Sequence, residues 1–557
     1  MNILIIQILR LGDGLQLLPI VKGLKELNPQ SQISLLTSTA EAPIFECEPD
    51  ISHVHVLKKE AIIQLIDPGS KAGILEALGL LKSDLEPVSS VKWDWVINFS
   101  HTYSSALLCT LMDAKYRSGC VMGKDRRYLT KEKWFSYSLA SFAKRRYSNF
   151  NWVDINKNIA GLPGVPPMPT LSPSGNALDK ASAFKQGFGK DKRIVGMHPG
   201  ASGFHKRWPV EKFAELGKRL AENHGCQILI FGSSREKGVA DQIEDRIGTN
   251  VISLAGKTDL GQLQAYLGIC DLLISNDTGP MHLAAAVGTS VVSLFFSTHF
   301  IETGPYGAGH VAIHPDIECF PCQNTAECSH KECLNYISPE TAESAVLHQL
   351  DIDTDRAAER LNKNSDAVRV FKSTFDPWGN MDWVPMDGRT MSFREFERLL
   401  LKTAWLYFSD IIKGDDKREP EYLLEVMERY NQGRVNENLE NEIHKFRKKL
   451  EAFRLLIKNA QGICIEIQSE LLSPEVDQKK AEPLGEKLTA MESEIAEFHS
   501  HSSIGFLGEL LSVFLDNIPR TDSLDLASKT LSLYRDLSSL IDGIMGRSAV
   551  IEKGATS

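Results

Sequence analysis

The chain has 557 residues, of which 42% are hydrophobic and 24% charged. This composition is typical of a folded chain with about three or four domains, and it excludes global disorder and a fibrous repeat. The formal net charge of −10 argues against general binding to nucleic acid. Residues 351–557 hold 28 Lys and Arg against 37 Asp and Glu. Most of the excess negative charge therefore lies in the last third, which indicates a separate unit there.

No apolar run reaches the length of about 18 residues that a membrane-spanning helix needs. The first residues, MNILIIQILRLGDG, lack the basic region and the cleavage site of a signal peptide. We therefore expect a cytoplasmic protein.

The first half of the chain alternates between strand and helix patterns. Residues 2–9 form a continuous apolar run, which is typical of a buried parallel strand. A short loop at 10–14 and an amphipathic stretch at 15–29 follow. The later runs QISLLTS, VHVLK and WDWVINFS repeat the strand pattern. This alternation predicts a doubly wound α/β sheet in an N-terminal Rossmann-like domain, residues 1–165.

A Pro- and Gly-rich segment at 161–175 predicts a linker, after which the α/β pattern restarts. A second Rossmann-like domain is predicted for 166–350, from the strand runs RIVGMHPG, QILIFGSS, VISLAG, DLLISND and VVSLFF. Two such domains face each other across a crevice, with ligands at the carboxyl ends of their strands.

The pattern beyond about residue 385 is purely helical. Apolar residues recur every three or four positions from Leu439 to Leu471 and again from Leu484 to Phe498. Two such seams predict a helical hairpin within a bundle. We therefore expect an all-helical domain at 385–557, joined to the α/β part by a linker at 351–384.

The stretch DLLISNDTGPMHLAAAVGTSVVSLFF, residues 271–296, ends a strand at Asp277, turns through Thr278 and Gly279 and opens a helix at once. Backbone amides at a helix N-terminus form a site for a diphosphate, and His282, one turn into the helix, can add a hydrogen-bond donor. The alternative interpretation is an ordinary strand-to-helix turn capped by Asp277 or Thr278.

A second loop, HPGASGFHKRWP at 198–209, places small residues before Lys206 and also connects a strand to a helix. It resembles a phosphate-facing loop in which Lys206 supplies a point charge. Glu236 follows another strand and can accept hydrogen bonds from a ribose, although a carboxylate in the first turn of a helix is an equally simple explanation. The two loops together predict nucleotide binding.

The loop RLGDG places Asp13 between two glycines at the carboxyl end of the first strand. A desolvated carboxylate there can act as a general base on a hydroxyl group. The alternative is that Asp13 caps the following helix.

These stretches, in this order, resemble glycosyltransferase family 9, the ADP-heptose:lipopolysaccharide heptosyltransferases and their relatives. The matching segments cover most of residues 1–350: ILRLGDGLQLLPIVKGLKELNP, VINFSHTYSSALL, HPGASGFHKRWPVEKFAEL, ILIFGSSREK and NDTGPMHLAAAVGTSVVSLFFSTHFIETGPYG. The resemblance implies a glycosyltransferase-B fold and an inverting transfer from an ADP-sugar to an anionic glycolipid, such as the lipopolysaccharide core, or to a protein. It also implies that no catalytic metal is needed.

The resemblance also assigns roles to residues. Asp13 matches the catalytic base, and Lys206 matches the lysine that holds the donor phosphates. The remaining nucleotide- or substrate-binding positions are Gly12, Ser202, Glu236, Asp277, Thr278, Gly279 and His282.

Four cysteines crowd into the segment ECFPCQNTAECSHKEC: Cys319, Cys322, Cys328 and Cys333. Four thiolates with a leading C-x2-C suit a structural zinc or iron ion. The alternative is a set of reduced cysteines on a loop. Cysteine-rich segments occur at this place in some relatives, including an iron-bearing protein heptosyltransferase.

Residues 124–147 mix basic and aromatic side chains, which fits either contact with an anionic acceptor at the inner membrane or a solvated helix with a buried aromatic stripe.

We expect the helical domain to self-associate or to bind a partner. The rival to an enzyme is a degenerate, non-catalytic transferase that acts as a scaffold through this domain.

Overall fold

The structure is a computed structural model. It describes residues 1–46, 48–67, 70–123, 126–129, 132–162, 164, 171, 173, 175–189, 191–322, 328, 331–363, 367–413, 416–430, 437–472, 478–500, 504–516 and 523–555. The chain divides into two compact units. We call residues 1–122 and 151–388 the α/β unit, and residues 123–150 and 389–557 the helical unit.

The strands, in chain order, are β1 Asn2–Ile6, β2 Gln32–Ser38, β3 His53–Leu57, β4 Trp93–Asn98, β5 Ala114–Gly119, β6 Val121–Met122, β7 Tyr128–Leu129, β8 Ile194–His198, β9 Gln227–Ile230, β10 Val251–Ser253, β11 Leu272–Asn276, β12 Ser290–Leu294, β13 Val311–Pro315, β14 Val368–Phe375 and β15 Met381–Pro385.

The α-helices are α1 Leu11–Leu15, α2 Leu18–Leu27, α3 Ala42–Phe45, α4 Lys59–Ile66, α5 Lys71–Ser89, α6 Tyr103–Leu111, α7 Lys133–Ala143, α8 Trp152–Ile159, α9 Gly175–Gln186, α10 Val210–His224, α11 Lys237–Ile247, α12 Leu260–Gly268, α13 Gly279–Ala286, α14 Phe300–Thr303, α15 Cys333–Tyr336, α16 Pro339–Gln349, α17 Thr354–Asn362, α18 Phe393–Phe408, α19 Arg418–Arg429, α20 Glu437–Leu471, α21 Gln478–Ser500, α22 Gly505–Asp516 and α23 Ser523–Ala555. Short 3₁₀ helices cover Arg145–Tyr147 and Phe204–Lys206.

The first sheet of the α/β unit is parallel throughout and has the order β3-β2-β1-β4-β5. Strand β1 lies at its centre, and its residues Ile3 to Ile6 are fully buried. A continuous apolar sequence suits this position because helices cover both faces of a parallel sheet. The loop that follows β1 contains Asp13, and it therefore lies at the carboxyl edge of the sheet.

The second sheet has the order β10-β9-β8-β11-β12-β13-β14-β15 and is parallel from β10 to β13. The last two strands are antiparallel to their neighbours. This sheet corrects the prediction of a linker at 351–384, because that segment forms α17, β14 and β15. Val368 and Val370 are buried in the core of this sheet, so β14 covers what would otherwise be an exposed edge of β13.

The helical unit contains more than the end of the chain. Trp134 and Tyr137 on α7 are buried, and their rings pack against Phe150, Trp405 and Phe506 at centroid distances of 4.8 to 5.9 Å. Trp134 and Tyr137 of the basic 124–147 segment are therefore core residues, although Phe142 on the same helix is exposed. The unit boundaries also differ from the predicted domains. Residues 165–170 of the predicted 161–175 linker lie outside the described residues, as do 124, 125, 130 and 131 of the basic segment.

Helix α20 carries the predicted apolar seam over 35 residues. Eight seam side chains are buried: Leu439, Ile443, Phe446, Leu450, Phe453, Ile457, Ala460 and Cys464. On α21, Ile495 is buried, whereas the side chain of Phe498 lies outside the described residues. Among the described helices, none combines the length and the apolar character that a membrane span requires.

Candidate active site

Asp13 lies in the first turn of α1, which starts a few residues after β1. The residue at the N-cap of α1 is Arg10, and its side chain makes no capping hydrogen bond, so Asp13 is not the cap of this helix. Burial raises the pKa of Asp13 from 3.8 to about 6, and the negative charge of Asp277 adds to the rise against the opposing charges of Arg10 and Lys206. A carboxyl group with this pKa is mostly ionised at neutral pH yet holds a proton more readily than an ordinary aspartate.

Asp277 follows β11, directly before the turn into α13. Its Oδ2 atom accepts hydrogen bonds from Lys206 Nζ at 2.6 Å and from Thr298 Oγ1 at 2.6 Å. Burial would raise the pKa of Asp277, but Lys206 and Thr298 outweigh burial and hold it below 3.8. The structure therefore brings Lys206 and Asp277 together as a largely buried ion pair.

The N-terminus of α13 has no side-chain cap. Thr278 occupies the N-cap position with an extended backbone, and its side chain makes no capping hydrogen bond. The carboxylate of Asp277 binds Lys206 and Thr298 instead of capping the helix. The capping interpretation of the turn is therefore wrong for both residues, and the geometry favours the diphosphate interpretation, since an uncapped helix start attracts an anion.

The loop before Lys206 is fixed by Asn276, the last residue of β11. The side-chain amide of Asn276 donates to the carbonyl oxygens of Pro199 at 2.8 Å and Gly200 at 3.2 Å, and its oxygen accepts from the backbone nitrogen of Trp208 at 3.0 Å. Both ends of the 198–209 loop are thereby attached to the strand that carries Asp277. Ser202 is exposed on this loop, and within the described chain no hydrogen bond joins its hydroxyl to the ion pair.

Glu236 sits at the N-cap of α11, where its Oε2 accepts from both the backbone nitrogen and the hydroxyl of Ser233 at 2.8 Å. His198 Nε2 lies 3.9 Å from the same carboxylate. Despite burial, His198 and Ser233 hold the pKa of Glu236 below its ordinary value. Gly200 passes so close that an added Cβ would overlap the carboxylate of Glu236 and would displace it from this position.

His198 extends this group to the uncapped turn, because its Nδ1 lies 3.4 Å from Thr278 Oγ1. Burial lowers the pKa of His198 even though Glu236 favours the charged form. Glu236, His198 and Thr278 thus form one polar row along the carboxyl edge of the second sheet.

The two halves of the α/β unit meet where α1 approaches α13. A Cβ added to Gly12 would lie 3.1 Å from Cδ2 of His282, and one added to Gly279 would lie 3.2 Å from Leu11. Gln16 Nε2 lies 3.4 Å from His282 Nε2. Burial lowers the pKa of His282 to about 4, so the ring is neutral at neutral pH. The glycines at 12 and 279 permit this close approach between the two halves.

The four clustered cysteines range from exposed Cys319 to buried Cys333. Burial, and then the proximity of Cys322, Cys319 and Cys328, raise the pKa of Cys333 to about 11. Among the described residues, no three His, Cys, Asp or Glu side chains are placed to hold a metal ion. The arrangement does not fit the predicted structural zinc or iron ion, and we derive no role for a metal.

Sequence reasoning missed four residues of this site: His198, Asn276, Thr298 and Gln16. His198 and Asn276 end strands of the second sheet, so their position at the carboxyl edge was a usable signal. Thr298 and Gln16 had no such signal, because their contacts to Asp277 and His282 join residues distant in sequence.

Comparison with known proteins agrees with this geometry. Residues 86–333 match the family model of glycosyltransferase family 9 (heptosyltransferase). Residues 86–333 are thus similar to that family, and we call them the family-9 part. The matched residues of the family-9 part include the loop with Lys206, Glu236 and the turn from Asp277 to His282.

Several relatives of the family-9 part are named heptosyltransferases. The lipooligosaccharide heptosyltransferase 2 of Campylobacter jejuni is 35% identical over 156 residues, which are 27% of this chain and 48% of that protein. The match thus spans about half the length of that relative. The lipopolysaccharide core heptosyltransferase of Haemophilus influenzae is 22% identical over 325 residues, 55% of this chain and 82% of that protein.

A solved structure of a family-9 glycosyl transferase from Veillonella parvula has the same fold. It aligns with a TM-score of 0.53 and 21% identity, and the alignment covers 63% of this chain and 97% of that one. The predicted α/β architecture, with two Rossmann-like sheets and a helical region after them, is therefore confirmed.

Proposed function

We propose that this chain is an inverting glycosyltransferase that transfers a heptose from an ADP-linked donor to a hydroxyl group of the lipopolysaccharide core. The observation that carries the proposal is the position of Asp13: a half-buried carboxyl group of raised pKa that is influenced electrostatically by both members of the Lys206–Asp277 pair. The heptose and the acceptor class rest on the names of the relatives, and the ADP moiety rests on the family resemblance.

In the proposed reaction the acceptor hydroxyl oxygen attacks the anomeric carbon of the heptose. The new carbon–oxygen bond forms on the face opposite the diphosphate, the bond to the diphosphate oxygen breaks, and ADP leaves with the bonding electron pair. Asp13 takes the proton of the attacking hydroxyl, which raises the nucleophilicity of that oxygen as the bond forms.

The leaving diphosphate gains negative charge as its bond to the sugar breaks. Lys206 and the uncapped N-terminus of α13 supply positive potential for that charge. Glu236, held by Ser233, is available to accept hydrogen bonds from the hydroxyl groups of the ribose. Each group has a chemical task that matches its place along the carboxyl edge.

The test replaces Asp13 with Asn and measures heptose transfer and ADP affinity separately. A general base contributes in the transition state, so kcat should fall by roughly a thousandfold while the Kd for ADP changes little. Because burial raises the pKa of Asp13 to about 6, wild-type kcat/KM should fall as the pH drops through that value.

Asp245→Asn, which removes an exposed carboxylate from α11, is the matched control and should leave transfer unchanged. Near-normal turnover by Asp13→Asn would contradict the role of Asp13 as base. Tighter binding of UDP or GDP than of ADP would contradict the proposed donor.

A further inference from the structure

Gln16 contacts His282 across the two halves of the α/β unit. Gln16 is the C-cap residue of α1, the helix that holds Asp13, and His282 lies in α13 after the uncapped turn. Both side chains are buried. The contact joins the amide nitrogen Nε2 of Gln16 to the ring nitrogen Nε2 of His282 at 3.4 Å.

The orientation of the Gln16 side-chain amide, with Nε2 toward the ring, assigns a tautomer to His282. An amide NH₂ group carries two hydrogens and cannot accept a hydrogen bond, so it must donate to His282. The accepting Nε2 therefore carries no hydrogen. A neutral imidazole has one hydrogen on its two nitrogens, which places that hydrogen on Nδ1 of His282. The ring is neutral because burial lowers its pKa to about 4.

Nδ1 of His282 is buried and has no hydrogen-bond partner within the described part of the chain. Buried donors are almost always satisfied in a folded protein or in its complex with a ligand. The ring lies close enough to Asp277 and Lys206 for both charges to act on it. Oδ2 of Asp277 already accepts two hydrogen bonds, from Lys206 and Thr298.

We infer that Gln16 is a positioning residue, which holds His282 in the tautomer whose Nδ1–H donates to an oxygen of the bound nucleoside diphosphate. This inference rests on the proposed function, since it takes the diphosphate as the ligand of the α13 turn. Gly12 leaves room for the ring in this position, because an added Cβ would lie only 3.1 Å from its Cδ2 atom. Gly12 thus permits the placement of the ring, and Gln16 decides which nitrogen carries the hydrogen.

The tautomer can be observed directly by NMR with ¹⁵N-labelled histidine, because a protonated and a bare ring nitrogen have widely separated shifts. His282→Gln identifies the His282 signals by their loss. In the wild-type chain we expect a protonated Nδ1 and a bare Nε2. Gln16→Glu replaces the donating amide by an accepting carboxylate. A carboxylate raises the pKa of a neighbouring imidazole, so the spectra and the binding assays are run at about pH 9 to keep the ring neutral, and there the hydrogen should move to Nε2. Gln16→Leu should give an average of the two tautomers.

Binding of ADP, measured by calorimetry, is the second readout. In Gln16→Glu a bare Nδ1 faces the phosphate oxygens, and we expect a loss of affinity of roughly tenfold, the effect of one hydrogen bond to a charged group. Gln16→Leu should lose less. Gln227→Leu removes another buried glutamine, at the start of β9, and should match the wild type in both readouts.

Unchanged signals from His310, which is also buried, would show that the variants are folded. Two results would overturn this inference and leave the proposed function standing. One is a wild-type spectrum with the hydrogen on Nε2 of His282, and the other is a tautomer that stays the same in the Gln16 variants. Failure of the wild-type chain to bind ADP, with the expected spectrum, would instead contradict the proposed function.

Discussion

Replacing Asp13 with Asn removes a carboxyl group whose ionised form is disfavoured by burial. In the unfolded chain this group ionises with its ordinary pKa of 3.8, whereas the folded protein retains the proton up to about pH 6. Between these values the folded state binds more protons than the unfolded state, so the free energy of unfolding falls as the pH rises. Asp13→Asn lacks this loss, and we expect it to be more stable than the wild type near neutral pH.

The magnitude follows from the size of the pKa rise, 3.8 to about 6. Each pKa unit corresponds to about 1.4 kcal/mol, so the ionised carboxylate costs the folded state up to about 3 kcal/mol. The full difference between Asp13→Asn and the wild type should appear at about pH 8 and shrink by about half at about pH 5.

Urea unfolding of both proteins across this pH range measures the difference. Asp245→Asn is the control, because it removes an exposed carboxylate from the same unit and should track the wild type at every pH. If Asp13→Asn were equally stable or less stable than the wild type at about pH 8, the carboxyl group would not carry the burial penalty that the structure assigns to it.

Two further changes probe other parts of the chain. Lys206→Met leaves the buried carboxylate of Asp277 without its cation, so the free energy of unfolding should fall by about 3 kcal/mol. The double variant Lys206→Met, Asp277→Asn should recover most of this loss in the same urea assay, because it also removes the unpaired charge. Since the pKa of Asp277 is lowered, the stability from this pair is present near neutral pH and is lost on acidification. Trp405→Ala should destabilise the helical unit by about 3 to 5 kcal/mol, which a lower urea midpoint would show. The affinity for ADP, measured by calorimetry, should not change. A parallel loss of ADP binding would contradict the expectation that the helical unit does not contribute to nucleotide binding.

Local patterns in the sequence predicted the core strands of both sheets well. β1, β2 and β11 lie within the predicted apolar runs, because a strand buried on both faces needs apolar residues throughout. The loops with Asp13, Lys206 and Asp277 were found for a related reason: each joins a strand to a helix at the edge where ligands bind.

The alternative interpretations of single residues could not be resolved from sequence. An aspartate before a helix is a cap or a functional group depending on what its carboxylate contacts. The hydrogen-bond partners of Asp277 are Lys206 and Thr298, which lie in other segments of the chain. The grouping of four cysteines likewise suggested a metal ion, but spacing along the chain does not determine how thiols are arranged in space.

Tertiary packing alone decided where the units divide. The sequence by itself determined that the chain has two α/β halves followed by helices, because the period of apolar residues is a local property. It did not determine that α7 belongs to the core of the helical unit, or that β14 and β15 extend the second sheet. An aromatic stripe or an amphipathic strand shows that a face must be buried, but not what buries it. The partners of α7 lie more than 250 residues further along the chain, at Trp405 and Phe506, and only the folded chain brings them together.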